Sequence, residues 1–277
     1  MRDFNPQPKV EPRILATDLD GTLIPLPENT ANKEALRELS RLHDQEKFGL
    51  IFATGRHFES VLEAITLQDL PTPDWIICDV GSSIYRRIGS DYHVFEPYEK
   101  HLADTTAGTD REVVETLLSG IDGLEPQADE HQQRFKISYQ TEAHLVEDLL
   151  ETINQHMDAA ELPYNCMGSI DPFLNAGLLD VLPKNVSKAY ALIWLATHGD
   201  FTPDEIIYSG DSGNDLAALI AGFRAIIVAN GSEGLAEKVR TALRKRDLEK
   251  RLYCAWGKAT SGVLEGCRHF GLFKGGT

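Results

Sequence analysis

The sequence lacks the patterns that mark zinc proteins and disulfide-stapled proteins. Its four cysteines, in a chain of 277 residues, form no Cys-x-x-Cys pair. Its nine histidines form no His-x-His or His-Glu-x-x-His pattern, so no zinc site is indicated. The cysteines instead indicate reduced thiols in a cytoplasmic protein.

Long hydrophobic runs and an excess of basic charge are also lacking. No stretch approaches the ~20 apolar residues of a membrane helix, and residues 1–12 are too polar for a signal peptide. Lysine and arginine number 27 against 43 aspartate and glutamate, a net charge of −16, which argues against nucleic acid as a partner. We therefore expect a cytoplasmic protein that binds neither membranes nor nucleic acid. The sequence leaves the oligomeric state open, and a monomer is compatible with it.

The chain does show alternating strand and helix patterns in its first and last parts. Apolar runs at 14–16, 49–53, 75–78, 206–209 and 225–229 alternate with helical patterns, which predicts an α/β fold with a parallel sheet covered by helices. Between them, strand-like residues 92–95 and 134–139 lie among helical patterns at 111–118 and 142–157. We expect a core domain of residues 13–85 and 184–277, interrupted by an inserted α+β domain of residues 86–183.

Two acidic motifs each follow a predicted strand. The first reads Asp-Leu-Asp-Gly-Thr at 18–22, where Asp18 and Asp20 point the same way in an extended segment. The second reads Gly-Asp-Ser-Gly-Asn-Asp at 210–215 and adds Asp211 and Asp215. Together they supply a nucleophile, an acid/base partner and the hard oxygen ligands that suit Mg²⁺, as phosphate monoester cleavage requires. Alone, the first motif could be an acidic turn, and the second a solvated loop or a calcium site.

Two further segments lie in the right order between these motifs. Thr54-Gly55-Arg56 follows the strand at 49–53 and opens a helix, which makes a seat for phosphate. Lys188 begins a later helix and could neutralise phosphoryl oxygens, although a lone lysine there is more often a solvated surface charge. The candidates for drawing an anionic substrate to this acidic protein are Mg²⁺, Lys188, Arg56 and the basic residues of the inserted domain.

This ordered set resembles the four signature motifs of the haloacid dehalogenase phosphatase superfamily, over residues 13–230. The long insertion is similar to the large α/β cap of the sucrose-phosphatase and Cof-like branch. Local strings narrow the resemblance to sucrose-6-phosphate phosphatase and its relatives acting on phosphorylated disaccharides. These strings are Val-Gly-Ser-Ser-Ile-Tyr at 80–85, Gln-Arg-Phe-Lys-Ile-Ser-Tyr at 133–139 and Ser-Gly-Val-Leu-Glu-Gly at 261–266. The sequence departs from that pattern at Gly21, where sucrose phosphatases often have Asn, and at Ala189, where Gly is usual.

The resemblance implies a role for each motif residue. Asp18 would attack phosphorus to form an aspartyl phosphate, and Asp20 would protonate the sugar oxygen and then activate water. Mg²⁺ would be bound by Asp18, Asp211 and the backbone carbonyl of Asp20, with Asp215 in or beside its shell. The phosphoryl oxygens would be held by Thr54, Gly55, Lys188 and Asn214.

The same resemblance implies that cap residues read the sugar. Alternation along 134–137 predicts that Arg134 and Lys136 share one face of a strand while Phe135 packs inward, and the resemblance implies that Lys136 and Arg134 touch sugar hydroxyls. A solvated strand face is the competing interpretation. With Arg56, these residues form the predicted sugar-binding set.

The expected function is therefore Mg²⁺-dependent hydrolysis of a sugar phosphate, with sucrose 6-phosphate as the leading substrate. Phosphatases for mannosylfructose phosphate, glucosylglycerol phosphate or mannosylglycerate phosphate, and a broad sugar-phosphate phosphatase of the Cof type, are the alternatives. A phosphomutase, or a non-catalytic regulatory module, fits less well, because the second acidic motif is similar to that of phosphatases and no catalytic residue is lost.

Overall fold

The structure, a computed structural model, describes residues 10–170, 176–199 and 201–273. Its strands in chain order are β1 (Ile14–Thr17), β2 (Gly49–Ala53), β3 (Trp75–Cys78), β4 (Ser83–Ile88), β5 (Asp91–Val94), β6 (Glu125–Pro126), β7 (Ile137–Glu142), β8 (Tyr164–Ile170), β9 (Ala176–Pro183), β10 (Ile206–Gly210), β11 (Arg224–Ile227) and β12 (Leu252–Cys254). Its α-helices are α1 (Thr30–Glu46), α2 (Phe58–Gln68), α3 (Glu96–Thr105), α4 (Arg111–Leu118), α5 (Val146–Ala159), α6 (Lys188–His198), α7 (Leu216–Leu219), α8 (Leu235–Arg244) and α9 (Ala259–Phe270).

The larger sheet is apolar on both faces. Its order is β12-β11-β10-β1-β2-β3-β4-β5, and β12 through β3 run parallel. Along β1, Leu15 packs into the cluster on one face, whereas Ile14 and Ala16 pack into the cluster on the other. Helices α6 and α8 cover one face, and α1 and α9 cover the other. Strands buried on both faces are typical of parallel sheets, so the predicted α/β fold is confirmed.

The register of the central strands brings the predicted motifs to one edge of the sheet. Thr17, the last residue of β1, lies opposite Phe52 of β2 and Ser209 of β10. The three neighbouring strands β1, β2 and β10 therefore end at nearly the same height in the sheet. Ligands of open α/β sheets bind beyond this carboxyl edge.

A hairpin extends the core sheet beyond its parallel strands. β4 pairs antiparallel with β3, and β5 pairs with β4. Residues 92–95, predicted as part of the insertion, thus belong mainly to the core sheet, and α3 packs on the core through Tyr98 and Leu102. The division predicted between residues 85 and 86 falls inside β4. We propose that the insertion begins after α3.

The inserted region, called the cap below, has its own sheet and hydrophobic cluster. Strands β6-β7-β9-β8 form an antiparallel sheet, and α4 and α5 pack on one face of it. Tyr139 and Val181 lie in that apolar cluster. Ser138 and Asp180, which are paired across β7 and β9, alternate to the opposite face. The cap therefore has one apolar face and one face with polar groups.

The described part of the chain contains free cysteines and no candidate membrane-spanning helix. All four cysteines lie in the described part of the chain and are free thiols, three of them buried. Over residues 10–170, 176–199 and 201–273, no helix has both the length and the apolar character that crossing a bilayer requires.

A strained turn after β3 joins the core motifs. Asp79, Val80 and Gly81 have φ angles of 52°, 57° and 104°, and a β-branched residue such as Val80 rarely adopts this conformation. The backbone N–H of Asp79 donates to Arg56 O at 3.0 Å, and that of Val80 donates to Thr54 O at 3.2 Å. Tyr98 Oη donates to Gly81 O at 2.7 Å. This turn therefore holds residues 54–56, the predicted seat for phosphate and called the phosphate-seat segment below, against the core.

Gly81→Ala should destabilise the protein by roughly 2–4 kcal/mol, because strain at positive φ adds to overpacking. A Cβ at Gly81 would overlap the carbonyl oxygen of Ser187 and lie 2.8 Å from Lys188 N. The free energy of unfolding in urea measures the effect. Gly89→Ala is the matched control, since Gly89 has φ 66° but nothing within 4 Å of the added Cβ, and it should lose only about 1 kcal/mol. Equal losses in the two variants would contradict the packing role of Gly81.

Candidate active site

The first acidic motif is a tight turn against the second. Gly21 has a φ of 73°, and a Cβ there would lie 2.9 Å from Asp211 Cγ, so only glycine fits between the loops. Thr22 Oγ1 donates to Asp211 Oδ1 at 3.3 Å. Asn230 Nδ2 donates to Gly21 O at 2.7 Å and thus ties the loop after β11 to the same turn. These contacts hold the loops after β1, β10 and β11 together at the carboxyl edge of the sheet.

Lys188 is the centre of the site, and its whole side chain is buried. Ser187 caps α6 by accepting a hydrogen bond from Tyr190 N, which places Lys188 at the first helical position. Lys188 Nζ donates to Asp18 Oδ1 at 2.7 Å, to Asp215 Oδ1 at 2.9 Å and to Asn214 Oδ1 at 3.2 Å. All three ammonium protons thus have acceptors. The solvated surface position is excluded for Lys188.

Asp215 organises the second motif. Its Oδ1 accepts from Lys188 and, at 2.7 Å, from Tyr208 Oη. Its Oδ2 accepts from the backbone N–H groups of Asp211 and Ser212 at 3.1 and 3.2 Å. Gly210 is required beside it, because a Cβ there would lie 2.6 Å from Asp215 Cβ. Asp215 therefore fixes the loop around Asp211 and Lys188.

Burial sets the charge balance of these groups. Burial raises the pKa of Asp18 to about 8, and Lys188 opposes this shift. Burial also raises the pKa of Asp211 to about 6, with Asp215 adding to the effect. For Lys188, burial disfavours the charge, but Asp18 and Asp215 outweigh it and raise its pKa. Lys188 therefore stays protonated. Its single positive charge does not balance the negative charge of the surrounding carboxylates.

A divalent cation would give that compensation. Carboxylate oxygens of Asp18, Asp211 and Asp215 all lie within 4.8 Å of one another. These hard oxygen donors fit Mg²⁺. Each oxygen of Asp215 already accepts at least two hydrogen bonds, so Asp18 and Asp211 are the better direct ligands and Asp215 the better support. The side chain of Asp20 is outside this group.

Asp20 instead faces the phosphate-seat segment. Arg56 Nε and Nη2 donate to its two carboxylate oxygens at 2.7 and 2.6 Å, a bidentate pair. Thr54 is buried, and its Oγ1 accepts from Arg56 N at 3.2 Å. Gly55 lies between them, where a Cβ would be 3.8 Å from Val80. The structure therefore brings Thr54, Gly55 and Arg56 to the same edge as Asp18, and their ligand-binding roles stay predictions.

The two predicted cap residues are placed differently. β7 begins at Ile137, and residues 133 and 136 close a turn through mutual backbone hydrogen bonds, so the prediction that Arg134 and Lys136 share one strand face is wrong. Arg134 is exposed, with its guanidinium over Phe135 and 3.0 Å from Glu99. Lys136 is buried, and its Nζ lies 3.5 Å from Asp180 and 3.9 Å from Asp79. The sugar-contacting roles of Arg134 and Lys136 stay predictions.

Three residues near the site were not singled out from the sequence. Tyr208 carries a weak signal, because its hydroxyl lies in a buried strand just before the second motif. Asn230 follows β11 as the motifs follow their strands, and its Oδ1 accepts from Ala259 N at 2.7 Å. Asp79 directly follows β3, as the motif carboxylates follow their strands, and precedes the Val-Gly-Ser-Ser string, so its position in the sequence carried a weak signal.

A parallel α/β core, a cap, and buried carboxylates around a lysine define a phosphatase of the haloacid dehalogenase (HAD) superfamily. Within it, the chain belongs to the family described as sucrose-6F-phosphate phosphohydrolase, whose family model matches residues 11–271. The resemblance stated from the motifs is therefore confirmed.

Individual relatives agree with this assignment. An HAD-like hydrolase of Nitrosococcus oceani is 33% identical over 267 residues, which cover 93% of this chain and 71% of the relative. The mannosylfructose-phosphate phosphatase of Agrobacterium fabrum is 31% identical over 265 residues, covering 94% of this chain and 97% of the relative. The structure of a Synechocystis sucrose-phosphatase, in complex with sucrose and phosphate, superposes with a TM-score of 0.76 at 24% identity, covering 96% and 100% of the two chains, which shows the shared fold.

Lys188→Met should destabilise the metal-free protein by about 3–5 kcal/mol at pH 8, because it leaves Asp18 and Asp215 buried without their cation. Asp18 has an ordinary pKa of 3.8 that burial raises, and loss of Lys188 raises it further. A carboxylate with a raised folded pKa stabilises the protein below its unfolded pKa and loses this contribution as the pH rises through the folded value. The deficit should therefore shrink toward about pH 5. Urea unfolding at both pH values, with a chelator present, measures it.

Lys184→Met is the control for this experiment, since Lys184 Nζ pairs with Asp158 at the exposed surface. It should change stability by no more than about 0.5 kcal/mol at either pH. A pH-independent deficit in Lys188→Met would contradict the coupling between Lys188 and the two carboxylates.

Proposed function

We propose that the protein is a Mg²⁺-dependent phosphatase that hydrolyses a phosphorylated disaccharide such as sucrose 6-phosphate through an aspartyl-phosphate intermediate. The observation that carries the proposal is the fully buried Lys188, hydrogen-bonded to both Asp18 and Asp215. A lysine is seldom buried so completely without a function for its charge. Here it stands between the proposed nucleophile and the proposed metal-supporting carboxylate.

Asp18 is the proposed nucleophile because its orientation is fixed. Lys188 holds Oδ1, and the other carboxylate oxygen attacks phosphorus while the bond from phosphorus to the sugar oxygen breaks. Backbone N–H groups of the 18–22 turn, together with Thr54, Lys188 and Asn214, hold the phosphoryl oxygens. Fixed donors of this kind stabilise the charge that develops in the transition state.

Asp20 is the proposed general acid and base. It gives a proton to the departing sugar oxygen, then takes one from the water that attacks phosphorus and releases Asp18. In the structure both oxygens of Asp20 are occupied by Arg56. This ion pair must open before Asp20 can carry a proton, and the side chain of Asp20 is exposed enough to move, at 57%. We infer that substrate binding releases Asp20 from Arg56.

Mg²⁺, held by Asp18 and Asp211 with Asp215 behind them, would neutralise charge on the phosphoryl group. It would also compensate the carboxylates that Lys188 alone cannot balance. The backbone carbonyl of Asp20 remains the third predicted ligand.

The choice of a disaccharide phosphate rests on the relatives. The matching family is named for sucrose-6F-phosphate, and a relative covered over 97% of its length is named for mannosylfructose phosphate. Both names describe a phosphorylated disaccharide containing fructose. Glucosylglycerol phosphate, mannosylglycerate phosphate and broad Cof-type specificity remain the alternatives. Phosphate release measured across sucrose 6-phosphate, mannosylfructose 6-phosphate, glucosylglycerol phosphate, mannosylglycerate phosphate and hexose phosphates separates them. A phosphomutase would release no free phosphate.

Asp18→Asn should lower kcat for phosphate release by at least about 10³-fold, because an amide is a poor nucleophile toward phosphorus. The measurement is steady-state phosphate release from sucrose 6-phosphate with Mg²⁺ present. Asp91→Asn, at an exposed position in the β4–β5 hairpin, is the control and should keep full activity. Retention of normal kcat in Asp18→Asn would rule out the proposed mechanism.

Chelation of divalent cations should abolish phosphate release, and Mg²⁺ should restore it better than Ca²⁺, which prefers more ligands and looser geometry. Mg²⁺ alone should also raise the melting temperature, because ligands that bind only the folded state stabilise it. Asp211→Asn should remove this thermal shift, whereas Asp122→Asn, on the exposed surface, should not. An unchanged shift in Asp211→Asn would place the ion elsewhere.

A further inference from the structure

Asp79 is a buried carboxylate that the proposed mechanism does not use. Its side chain is 1% exposed, and among the described residues neither of its oxygens has a hydrogen-bond partner. Burial raises its pKa to about 6, against the opposing effect of Lys136. A carboxylate in this state is costly to keep. Asp79 also has a φ of 52°, so one residue combines an unpaired buried group with backbone strain.

Groups from both domains face Asp79: His57 and Ser83 come from the core, and Lys136 and Asp180 come from the cap. Lys136 Nζ lies 3.9 Å from Asp79 Oδ1 and 3.5 Å from Asp180 Oδ1, whereas charge-assisted hydrogen bonds are about 2.7–2.9 Å long. Asp180 accepts a hydrogen bond from Ser138 Oγ at 2.7 Å. Asp79, Lys136 and Asp180, called the interface triad below, thus leave donors and acceptors unused between core and cap.

The interface triad adjoins the proposed acid/base. The backbone N–H of Asp79 donates to the carbonyl of Arg56, whose side chain holds Asp20. The same turn packs through Gly81 against Ser187 and Lys188. A leaving group released from phosphorus beside Asp20 would therefore lie toward the boundary where Asp79 meets the cap.

We propose that the interface triad binds hydroxyl groups of an uncharged sugar leaving group and selects against a leaving group that carries a carboxylate or a second phosphate. This inference rests on the proposed function and narrows its substrate. Asp79 and Asp180 accept hydrogen bonds from sugar hydroxyls, and Lys136 donates to them. With two carboxylates to one ammonium, the triad repels an additional anion, and repulsion in a buried site is strong. Disaccharide phosphates and glucosylglycerol phosphate satisfy this selection, whereas mannosylglycerate phosphate does not.

The test compares two substrates that differ only in that charge. Glucitol 6-phosphate ends in a neutral CH₂OH group where 6-phosphogluconate has a carboxylate. The unsubstituted protein should favour glucitol 6-phosphate in kcat/KM by about tenfold or more. Asp79→Asn should reduce this ratio about tenfold, since it removes one negative charge at similar volume. Asn also tolerates positive φ, so the fold should be kept.

Asp69→Asn is the matched control, because Asp69 also has a φ of 52° but is exposed at the end of α2. It should leave the substrate ratio unchanged. Asp180→Asn is the second variant should Asp79→Asn fail to fold, and it should shift the ratio in the same direction. Because the ratio is taken within one enzyme, a general loss of activity cancels.

The outcomes separate the two levels of the proposal. A protein that hydrolyses both substrates, with a ratio unchanged in Asp79→Asn and Asp180→Asn, would overturn the role of the interface triad alone. A protein that hydrolyses p-nitrophenyl phosphate but no sugar phosphate would overturn the proposed function and this inference with it. A ratio that falls in the triad variants and stays constant in Asp69→Asn supports both.

Discussion

The buried ion cluster of Lys188 with Asp18 and Asp215 is the constraint on which the rest of the site depends. Its members follow β1, begin α6 and follow β10, so the cluster exists only when these elements meet. Removing Lys188 would leave two buried carboxylates without their cation, which is far costlier than losing a surface pair. The cluster therefore requires close packing around it, and glycine at positions 21 and 210 allows the loops to approach that closely.

The conflict between an acidic protein and an anionic substrate depends on local cations beyond the cluster, because the cluster has two carboxylates and one ammonium. The net charge of −16 is spread over the molecule, but attraction of a phosphate depends on the local field at the site. Lys188 and Arg56 lie at the carboxyl edge of the sheet, and Lys136 lies at the boundary with the cap. Each is paired with carboxylates in the structure. Substrate would replace some of these pairings, as the Asp20–Arg56 pair illustrates.

Much of the fold followed from the sequence, because the central strands are buried on both faces and carry long apolar runs. The bounds of β2, β3 and α4 agree with those predicted. The motifs could be placed at one edge because parallel strands share their direction. Predictions failed where tertiary packing overrode a local pattern. Residues 92–95 look like a cap strand but pair with the core sheet, and alternation at 134–137 comes from a turn that sends Arg134 to solvent and Lys136 inward. Asp79 follows a predicted strand, but its contact with Lys136 and Asp180 could not be predicted, because these residues are distant in the sequence.

Backbone strain and a buried carboxylate without hydrogen bonds occur together at the boundary between core and cap. The turn of residues 79–81 adopts three successive positive φ angles, which Gly81 and Asp79 tolerate but the β-branched Val80 rarely adopts. This turn donates hydrogen bonds to Arg56 and Thr54, and Gly81 packs against Ser187. These contacts with the core are sufficient to hold the turn in its strained conformation. What the core does not explain is a carboxylate at position 79, since no described group donates to it. A side chain that is costly in the free protein is best understood through what it meets when the substrate is bound, and here it faces the lysine that the cap supplies. Specificity would then be shared: the carboxyl edge of the sheet recognises the phosphate, and the boundary around Asp79 and Lys136 recognises the group to which the phosphate is attached.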